Sequence, residues 1–495
     1  MKLLTKSKYI NGLQCLRLLW FADKKQLPKV CLADQHRFNQ GAEFENQVKR
    51  LFPNGIDLAG IGFNENLDRT KELIKEKKLI FEAGIKEKEL FIRADILEPV
   101  KQEWDLYEIK STTQVKPQHI PDLAFQKYVI EKSGIKINRC FLMFLNKEYV
   151  KNGEIIPKEL ISKEDITEQV ELIDDIEQNT EKYLKIIKQE NAPDIAISMN
   201  CNKPYECPLK DACWGTLPEN NVLQLTNWRQ YWKFFEEGII DMKDIPKETK
   251  LSLKDEVIRD AILSKKVMIS KEHIKHFIKN LHYPLYYFDF ETFDTAVPLF
   301  DKSRPYQKIA FQYSLHIQQK NGNVKHFEYL ATGEEDTRIK LLEQLKTEIG
   351  TKGDVIVFNK SFEVSVFNHL IEDFPEHADW IQNILNRIVD LAVPFQNFHY
   401  YSASQKGSYS IKKVLPAITG KGYELEINNG GDASAQYFYS HITHDLKNTK
   451  EIRKNLLKYC CLDTEAMVLI VEKLKKIEDM SRTNKNVKRT FNSHT

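Results

Sequence analysis

Hydrophobic and polar positions alternate in some stretches of the chain and recur at helical spacing in others. Residues 41–52, GAEFENQVKRLF, have the helical spacing, whereas residues 79–113 alternate like strands that are joined by turns. A helical stretch at 120–134 and an apolar run at 139–146, RCFLMFLN, come next. The pattern therefore predicts a helix, antiparallel strands, a helix and a buried strand in the first part of the chain.

A second group of apolar strands begins in the middle of the chain. Its strand-like segments are LYYFDFETF at 285–293 and the stretches at 308–317, 324–331 and 354–359. Helical patterns accompany these segments at 336–349, 361–374 and 451–477. The two groups together predict an α/β multidomain protein.

The stretches outside these two groups are rich in charge. Residues 164–190 have the pattern of one long charged helix, and residues 220–280 are helical and rich in lysine. The end of the chain is polar and basic, which is typical of a disordered segment. We therefore predict a first domain at 1–218, a helical connector at 219–280, a second domain at 281–480 and a disordered basic tail at 481–495.

Composition limits the classes of partner. The chain has 495 residues, enough for two to four domains with their own cores. Its 73 basic and 71 acidic residues give a net charge of +2, so a nucleic-acid site would have to be a local groove. Residues 1–21 contain neither a continuous apolar segment nor a small-residue cleavage site. We expect a cytoplasmic protein with no membrane partner.

Two carboxylates interrupt the apolar strand at 285–293. Strand alternation sends Phe288 and Phe290 to one side, and Asp289 and Glu291 together to the other. Two like charges beside a core are costly unless a cation lies between them, and a divalent metal ion would serve. The alternative is a strand edge whose acids face water.

A second set of charged residues lies on the predicted strands of the first domain. Asp95 ends one apolar strand, and Glu108 and Lys110 share one face of the next. Phosphodiester hydrolysis needs carboxylates that hold a divalent metal, with a lysine nearby to orient water or stabilise the phosphate. The alternative is a solvated strand face, because Glu-x-Lys is common in a lysine-rich chain.

The eight cysteines are not expected to form disulfides in a large cytosolic chain. Cys201, Cys207 and Cys213 lie in a loop-like segment that contains prolines and offers thiols little burial. Metal ligation therefore explains them better than core packing does. Cys460 and Cys461 lie within a predicted helix and are expected in the core, and His282, His316 and His399 are expected at packing or surface positions.

With Glu45 on the helix before the strands and Gln126 on the helix after them, the first part resembles the PD-(D/E)xK nucleases of the RecB family over residues 5–215. It is most similar to their CRISPR-associated RecB-like subgroup and to the AddB nuclease domain. The resemblance implies a restriction-endonuclease-like core in which Asp95, Glu108 and Lys110 are catalytic. It also implies a role for Gln126 beside them. Relatives often have a metal-binding histidine where this chain has Glu45, so the first metal ligand would be this carboxylate or would be absent.

In those relatives one cysteine before the nuclease core and three after it hold a 4Fe-4S cluster. The resemblance implies this role for Cys15, Cys201, Cys207 and Cys213. The spacing of the last three is wider than the usual Cys-x-x-Cys start. Zinc remains the alternative, because four thiolates suit both.

The second domain has three acidic motifs in sequence order. After the pair at Asp289 and Glu291, Glu363 follows a predicted strand, and Tyr459 and Asp463 lie four residues apart on a predicted helix. The order resembles the DEDD exonucleases of the DnaQ-like, RNase H fold superfamily, in the DEDDy branch. The resemblance implies that the four acids hold two Mg²⁺ or Mn²⁺ ions and that the tyrosine orients the attacking water.

Two features of the second domain depart from that pattern or add to it. Glu363 lies where the family usually has aspartate, and Asp390 is a competing candidate for the same ligand. Lys406, Lys412 and Lys413 lie near a loop where they suit a phosphate backbone or, equally well, a solvated turn.

As a whole the chain resembles a bacterial uncharacterised family in which a RecB-like nuclease domain is fused to a DnaQ-like domain. The leading hypothesis is a metal-dependent nuclease with two active sites, acting on DNA in repair, recombination or defence, with a 3′–5′ exonuclease in the C-terminal half. One alternative is a nucleic-acid-binding module with one decayed site. The other is an RNA-processing exonuclease.

Overall fold

The computed structural model of the chain describes residues 2–422, 427 and 429–491, with side chains described as far as Glu478. The chain folds into two compact units, each built on a mixed sheet with helices around it. The first unit comprises Met1–Thr216 and Thr295–Tyr306, and the second comprises Leu217–Asp294 and Gln307–Thr495. Within the described ranges, no helix combines the length and apolar composition needed to cross a bilayer.

The strands of the first unit are β1 (Leu4–Thr5), β2 (Ile56–Asp57), β3 (Ile80–Glu87), β4 (Leu90–Val100), β5 (Glu103–Lys110), β6 (Ile137–Leu145) and β7 (Ile161–Asp165). They lie in the order β2-β3-β4-β5-β6-β7, and β1 pairs with β4. Strands β3, β4 and β5 are antiparallel neighbours, whereas β5 and β6 are parallel. A parallel pair needs a crossover connection, and the helix between β5 and β6 supplies it.

The helices of the first unit are α1 (Lys6–Gln14), α2 (Leu16–Asp23), α3 (Leu32–Lys49), α4 (Phe63–Lys75), α5 (His119–Lys132), α6 (Pro157–Leu160), α7 (Thr167–Glu171), α8 (Ile176–Lys188) and α9 (Lys210–Trp214). Helix α5 is the crossover, and it packs on β3, β4 and β6. Tyr9 of α1 stacks on Phe125 of α5 with ring centroids 4.3 Å apart. This packing holds α1 against the sheet beside the β4–β5 strands.

The single charged helix predicted at 164–190 is wrong. The structure has β7, α7 and α8 in this range, with a break at residues 172–175. The break coincides with Asp174 and Asp175, and the Asp175 carboxylate accepts a hydrogen bond from the Asn179 side chain at 2.8 Å. Such local side-chain bonds compete with helix continuation.

The strands of the second unit are β8 (Met268–Ile269), β9 (Leu285–Phe293), β10 (Ile309–Gln318), β11 (Val324–Leu330), β12 (Asp354–Val357), β13 (Ile388–Asp390) and β14 (Tyr400–Tyr401). The main sheet has the order β11-β10-β9-β12-β13. Strands β9, β10 and β11 are antiparallel, while β12 runs parallel to both β9 and β13. Strands β8 and β14 form a separate pair.

The helices of the second unit are α10 (Trp228–Glu236), α11 (Leu253–Ser264), α12 (Lys271–Lys279), α13 (Thr337–Glu348), α14 (Lys360–Asp373), α15 (Ala378–Leu385), α16 (Val393–Gln396), α17 (Ile411–Thr419), α18 (Gly430–Tyr437) and α19 (Thr449–Phe491). Phe288 of β9 stacks on Phe367 of α14 at 5.6 Å on one face of the sheet. Tyr287 joins the core cluster that includes Met467 of α19 on the other face. The central strand is therefore covered on both faces.

Two segments depart from the predicted division. Residues 219–280, predicted as a connector, lie within the second unit, where Val222 and Ile258 belong to a core cluster that also includes Tyr401. Helix α19 continues to Phe491, through most of the predicted disordered tail, because no proline or glycine interrupts it. Residues 492–495 of that tail lie outside the described residues.

Candidate active sites

The carboxylates of β9 lie on the face that helix α19 covers. Alternation places Asp289 and Glu291 on the same side as Tyr287, which packs in the core cluster of α19. Tyr459 and Asp463 of α19 are buried, with 4% and 8% of their surfaces exposed. The structure thus brings together the first and last acidic motifs, which are separated by about 170 residues in the chain.

The electrostatics of this acidic cluster reflect crowding of like charges. Burial raises the pKa of Asp289 well above its ordinary value, and the nearby Asp463 and Glu291 raise it further. Burial likewise raises the pKa of Glu291, with Asp463 acting in the same direction and the Lys412 ammonium opposing it. Buried carboxylates this close together are stable in their ionised form only when a cation binds among them.

Glu363 belongs to the same cluster. It lies in the first turn of α14, its side chain is 2% exposed, and it contributes to the raised pKa values of Asp289 and Glu291. Burial raises the pKa of Glu363 itself to about 8. Its Oε2 atom is buried and has no hydrogen-bond partner among the described residues. A buried carboxylate oxygen without a donor is suited to a metal ion.

Asp390, the competing candidate, uses its carboxylate in a different way. Its Oδ1 atom accepts from the backbone N–H groups of Asn359 at 3.1 Å and Ala392 at 2.8 Å, and its Oδ2 atom accepts from that of Lys360 at 3.1 Å. Both oxygens are thus engaged where β12 leads into α14. The geometry favours Glu363 over Asp390 as a metal ligand.

Tyr459 and the basic residues differ in their access to the cluster. Lys412 of α17 donates to the Tyr459 hydroxyl at 3.3 Å. Burial, and then the charge of Glu291, raise the pKa of Tyr459 above its ordinary value, so it remains a protonated donor. Lys406 instead pairs with Glu219 at 3.9 Å, and Lys413 is exposed. Of the three predicted phosphate-binding lysines, the structure places Lys412 beside the acids.

Cys460 is a member of this site that the sequence pattern misses. It is fully buried, as expected, but its Sγ lies 3.7 Å from Asp289 Oδ2. One ligand atom from each of Asp289, Glu291 and Cys460 lies within 4.8 Å of the others. The spacing of Tyr459 and Asp463 marks one helical face and gives no signal for Cys460, which follows Tyr459.

The first unit contains the second candidate cluster, at the point where β4 and β5 face α5. Asp95 is on β4, Glu108 and Lys110 are on β5, and Gln126 is on α5. Gln126 donates to Glu108 Oε2 at 2.6 Å, and the backbone N–H of Ile109 donates to Asp95 Oδ2 at 2.7 Å. The structure therefore brings together all four residues that the resemblance singles out. The Gln126 Oε1 atom is buried and lacks a hydrogen-bond partner in the described part of the chain.

Two further residues complete this cluster, and the sequence pattern missed both. Lys6 of α1 donates to Glu108 Oε1 at 2.9 Å and lies 3.6 Å from Asp95. Asp122 of α5 accepts from Lys110 at 2.8 Å. No spacing rule could find Lys6, because it lies about 100 residues before Glu108 in a chain with 73 basic residues. Asp122 could be found from its position four residues before Gln126, on the same helical face.

The lysines determine the charge state of the first cluster. Burial tends to raise the pKa of Glu108, but Lys110 and Lys6 hold it well below its usual range. Burial and the Glu108 charge together raise the pKa of Asp95 to about 7. This cluster therefore contains its own cations, because Lys6 and Lys110 both form ion pairs with Glu108.

Glu45, the predicted first metal ligand, pairs with Lys49 one helical turn later at 2.7 Å and is 29% exposed. Burial raises the pKa of Glu82, and the charge of Glu45 raises it further. Glu82 lies between Phe81 and Ala83 of β3, which pair with the two neighbours of Asp95. Glu45 is thus connected to the first cluster through Glu82 rather than by a hydrogen bond to Glu108.

The four cysteines predicted as cluster ligands meet in one place. Cys15, Cys201, Cys207 and Cys213 line a single pocket together with Arg17 and Lys210. Burial raises the pKa of the Cys207 thiol, and the other three cysteines act in the same direction. In the described part of the chain, however, no three of these sulfur atoms come within 4.8 Å of one another.

Gln14, beside Cys15, joins the two ends of this arrangement. Its side-chain amide donates to the backbone carbonyls of Asn200 at 2.9 Å and Tyr205 at 2.8 Å. Cys207 also donates its backbone N–H to the Cys201 carbonyl at 2.9 Å. These bonds fix the loop of the last three cysteines next to the first one.

Comparison with known proteins finds similarity without a named activity. Residues 286–410 match the family described as "Domain of unknown function (DUF2779)", a span that includes Asp289, Glu291 and Glu363 and ends before Tyr459 and Asp463. The "Uncharacterized protein MG366 homolog" of Mycoplasma pneumoniae is 29% identical over 209 residues, which are 37% of this chain and 31% of that protein. The "Uncharacterized protein UU173" of Ureaplasma parvum is 27% identical over 225 residues, which are 40% of this chain and 32% of that protein. The chain spans about a third of the length of these curated relatives.

Proposed function

We propose that the chain is a metal-dependent nuclease, with a 3′–5′ exonuclease site in the second unit. The observation that carries the proposal is the convergence of Asp289, Glu291, Glu363 and Asp463 beside Tyr459, in a buried group whose acids raise one another's pKa values. The unpartnered Oε2 atom of Glu363 fits a metal ligand. Because the donors are mainly carboxylates, the hard cations Mg²⁺ and Mn²⁺ suit them best.

The topology of the second unit supports an RNase H-like, DnaQ-like fold. Three antiparallel strands come first, and the two later strands run parallel to the first one on its other side. This puts the earliest strand, with Asp289 and Glu291, at the centre of the sheet. A central strand covered by α19 is the position from which these acids can meet Asp463.

The site residues have distinct roles in the proposed hydrolysis. Divalent metal ions, when bound, supply the positive charge that activates water and stabilises the pentacoordinate phosphate. Asp289, Glu291, Glu363 and Asp463 would hold those ions. Tyr459, which stays protonated, orients the attacking water through its hydroxyl. Lys412, next to that hydroxyl, offers its ammonium to the phosphate.

For the first unit we propose a PD-(D/E)xK nuclease core. Support comes from the β4–β5 antiparallel pair, the α5 crossover to β6 and the grouping of Asp95, Glu108, Lys110 and Gln126. Asp95 and Glu108 would hold a metal ion, and Lys110 would orient water or stabilise the phosphate. The orphaned Oε1 atom of Gln126 fits a site that lacks one polar partner.

Lys6 gives weight to the second candidate, a nucleic-acid-binding module with one decayed site. Its ammonium lies between Asp95 and Glu108, close to the space that a metal ion would take. A lysine in this position neutralises the carboxylates without any metal. If one of the two sites has lost its activity, this observation favours the site of the first unit as the inactive one.

We propose that Cys15, Cys201, Cys207 and Cys213 hold a 4Fe-4S cluster. A tetrahedral zinc ion with Zn–S bonds of about 2.3 Å would bring its four sulfurs to about 3.8 Å from one another. Among the described residues, no three of these sulfurs lie within 4.8 Å of one another, so the set is wider than that tetrahedron. Four thiols that line one pocket suit a 4Fe-4S cluster. Iron and sulfide analysis of protein purified without oxygen tests the assignment. One zinc and no iron would contradict it while keeping the cysteine site.

The proposal is tested by digestion of end-labelled single- and double-stranded DNA and RNA with Mg²⁺, with Mn²⁺ and with EDTA. We expect metal-dependent release of mononucleotides from 3′ ends, with DNA the preferred substrate, and its loss in Asp289→Ala. A second activity of different polarity, or with internal cuts, should disappear in Asp95→Ala. If Asp95→Ala alone removes all cleavage, the second unit is a binding module. If RNA is degraded in preference to DNA, the RNA-processing alternative is correct.

A further inference from the structure

A further group of side chains of the kinds that bind metal ions includes Cys461 of α19, the residue that follows Cys460. His316 of β10 and His326 of β11 are direct partners in the antiparallel register. Their rings stack with centroids 4.3 Å apart and planes at 26°. Cys461 of α19 has its Sγ 4.0 Å from His326 Nδ1. One donor atom from each of the three lies within 4.8 Å of the other two.

Hydroxyl groups fix the orientation of both imidazole rings. Ser314 Oγ lies 3.0 Å from His326 Nε2, and Thr464 Oγ1 lies 2.8 Å from His316 Nδ1. The two hydroxyls also bond to each other at 2.7 Å. These contacts leave His326 Nδ1 and His316 Nε2 as the nitrogens available to a ligand. Metal-binding histidines characteristically have the other ring nitrogen held in this way.

We propose that His316, His326 and Cys461 form a binding site for a zinc-class transition-metal ion. Two imidazoles and a thiolate are the donors that Zn²⁺ prefers, whereas Mg²⁺ and Mn²⁺ prefer oxygen. A water molecule would complete the coordination, because Glu328 Oε2 lies 4.0 Å from His326 Nε2, the nitrogen that faces Ser314 and not the one left for the ion. On binding, the Cys461 thiol loses its proton to solvent and the S–metal bond forms.

The position of this site gives it a structural consequence. The ion would tie α19 to the β10–β11 hairpin through Cys461, which is two residues after Tyr459 and two before Asp463. It would thus hold the helix that carries the last acidic motif in register with β9. The alternative is a packed pair of histidines with no ion, and the two cases differ in metal content rather than in nuclease activity.

The test is metal stoichiometry of the full chain. Zinc content would be measured for the parent, Cys461→Ser and His326→Ala. Each protein would also be titrated with Co²⁺, and binding would be monitored by the thiolate-to-cobalt absorption. Cys31→Ser is the matched control, because Cys31 is exposed and its thiol contacts Asp34 outside both metal sites. We expect both site variants to lose one equivalent of zinc or cobalt, while the control keeps it and the iron content is unchanged in all four proteins.

Two outcomes would overturn the proposal. One is equal zinc and cobalt stoichiometry in the parent and both site variants. The other is an equal rise in the melting temperatures of the parent and of Cys461→Ser when zinc is added. An ion bound at this site stabilises the folded state only where its ligands remain. His326 is 28% exposed on β11, so its replacement leaves the fold intact and keeps the comparison valid if Cys461→Ser folds poorly.

Discussion

Glu363 illustrates how a single buried carboxyl links the candidate site to stability. Its pKa of about 8 in the folded protein lies above the ordinary value of 4.5, mainly because it is buried. The folded protein therefore holds this proton more tightly than the unfolded chain does. The resulting stabilisation is fully present below about pH 4.5 and is lost as the pH rises to about 8.

Glu363→Gln should remove that part of the pH dependence. In EDTA we expect the parent to lose stability between about pH 4.5 and 8, by at most about 1.4 kcal/mol per pH unit for one group. The variant should have a shallower slope, and Mg²⁺ should restore stability to the parent because it binds the ionised acids. Denaturant unfolding from pH 5 to 9 measures this. Identical slopes in both proteins would show that Glu363 is not a titrating member of the cluster.

Lys6 poses a different question, because its ammonium competes with any metal ion for the carboxylates of the first cluster. Lys6→Met should strengthen Mn²⁺ binding there by about tenfold, or roughly 1.4 kcal/mol, since the bound cation then meets uncompensated acids. Calorimetric titration in an Asp289→Ala background isolates this cluster. The matched control is Lys8→Met, because Lys8 lies on the same helix but pairs with Asp23 at 2.7 Å. Weaker binding in Lys6→Met would mean that Lys6 supports the site rather than blocking it.

At the scale of elements, Asp390 and Glu363 divide two tasks at the start of α14. Asp390→Ala removes the acceptor of the backbone N–H groups of Asn359 and Lys360, as the loss of a helix cap does. We expect a loss of about 1–2 kcal/mol in the free energy of unfolding, with metal-dependent cleavage retained in the protein that remains folded. Glu363→Gln should instead abolish metal-dependent cleavage without that loss in the free energy of unfolding. Loss of cleavage in folded Asp390→Ala, as judged by circular dichroism, would reassign the ligand.

Elements with strong local patterns could be predicted from the sequence. The strand predicted at 285–293 is β9, and the one predicted at 354–359 begins where β12 begins. The two-residue strands β1, β2, β8 and β14 could not, because they exist only through pairing with distant partners. The same holds within the sites. The acids stand out by motif, but Lys6 reaches Glu108 through tertiary packing of α1 on α5, which leaves no local signal.

At the scale of the whole molecule, the first unit is discontinuous in sequence. Residues 295–306 complete it. The backbone N–H of Ala296 donates to the Gln40 side chain at 2.8 Å, and the Tyr306 hydroxyl donates to the Ser111 carbonyl at 2.6 Å. Lys151 also pairs with Asp301 at 2.7 Å. The domain boundary predicted near 218 is close to the observed one at 216, but no composition shift marks this second piece.

A fragment that ends at residue 216 should therefore be less stable than the first unit is in the full chain. We expect a lower melting temperature, because Ala296 is missing from the core cluster of Phe44 and the Gln40 side chain loses its donor. A synthetic peptide of residues 295–306 should bind the fragment and raise its melting temperature, as any ligand of the folded state does. A scrambled peptide of the same composition is the control. Equal effects of both peptides would contradict the assignment.

The discontinuity also sets an order of events during synthesis. The ribosome releases residues 1–216 first, yet the piece that closes their core is made only after residues 217–294 have emerged. Domains generally begin to fold as they are synthesised. For that interval the core cluster of Phe44 lacks Ala296, so chaperones that bind apolar segments would find its side chains less covered until residue 306 leaves the exit tunnel.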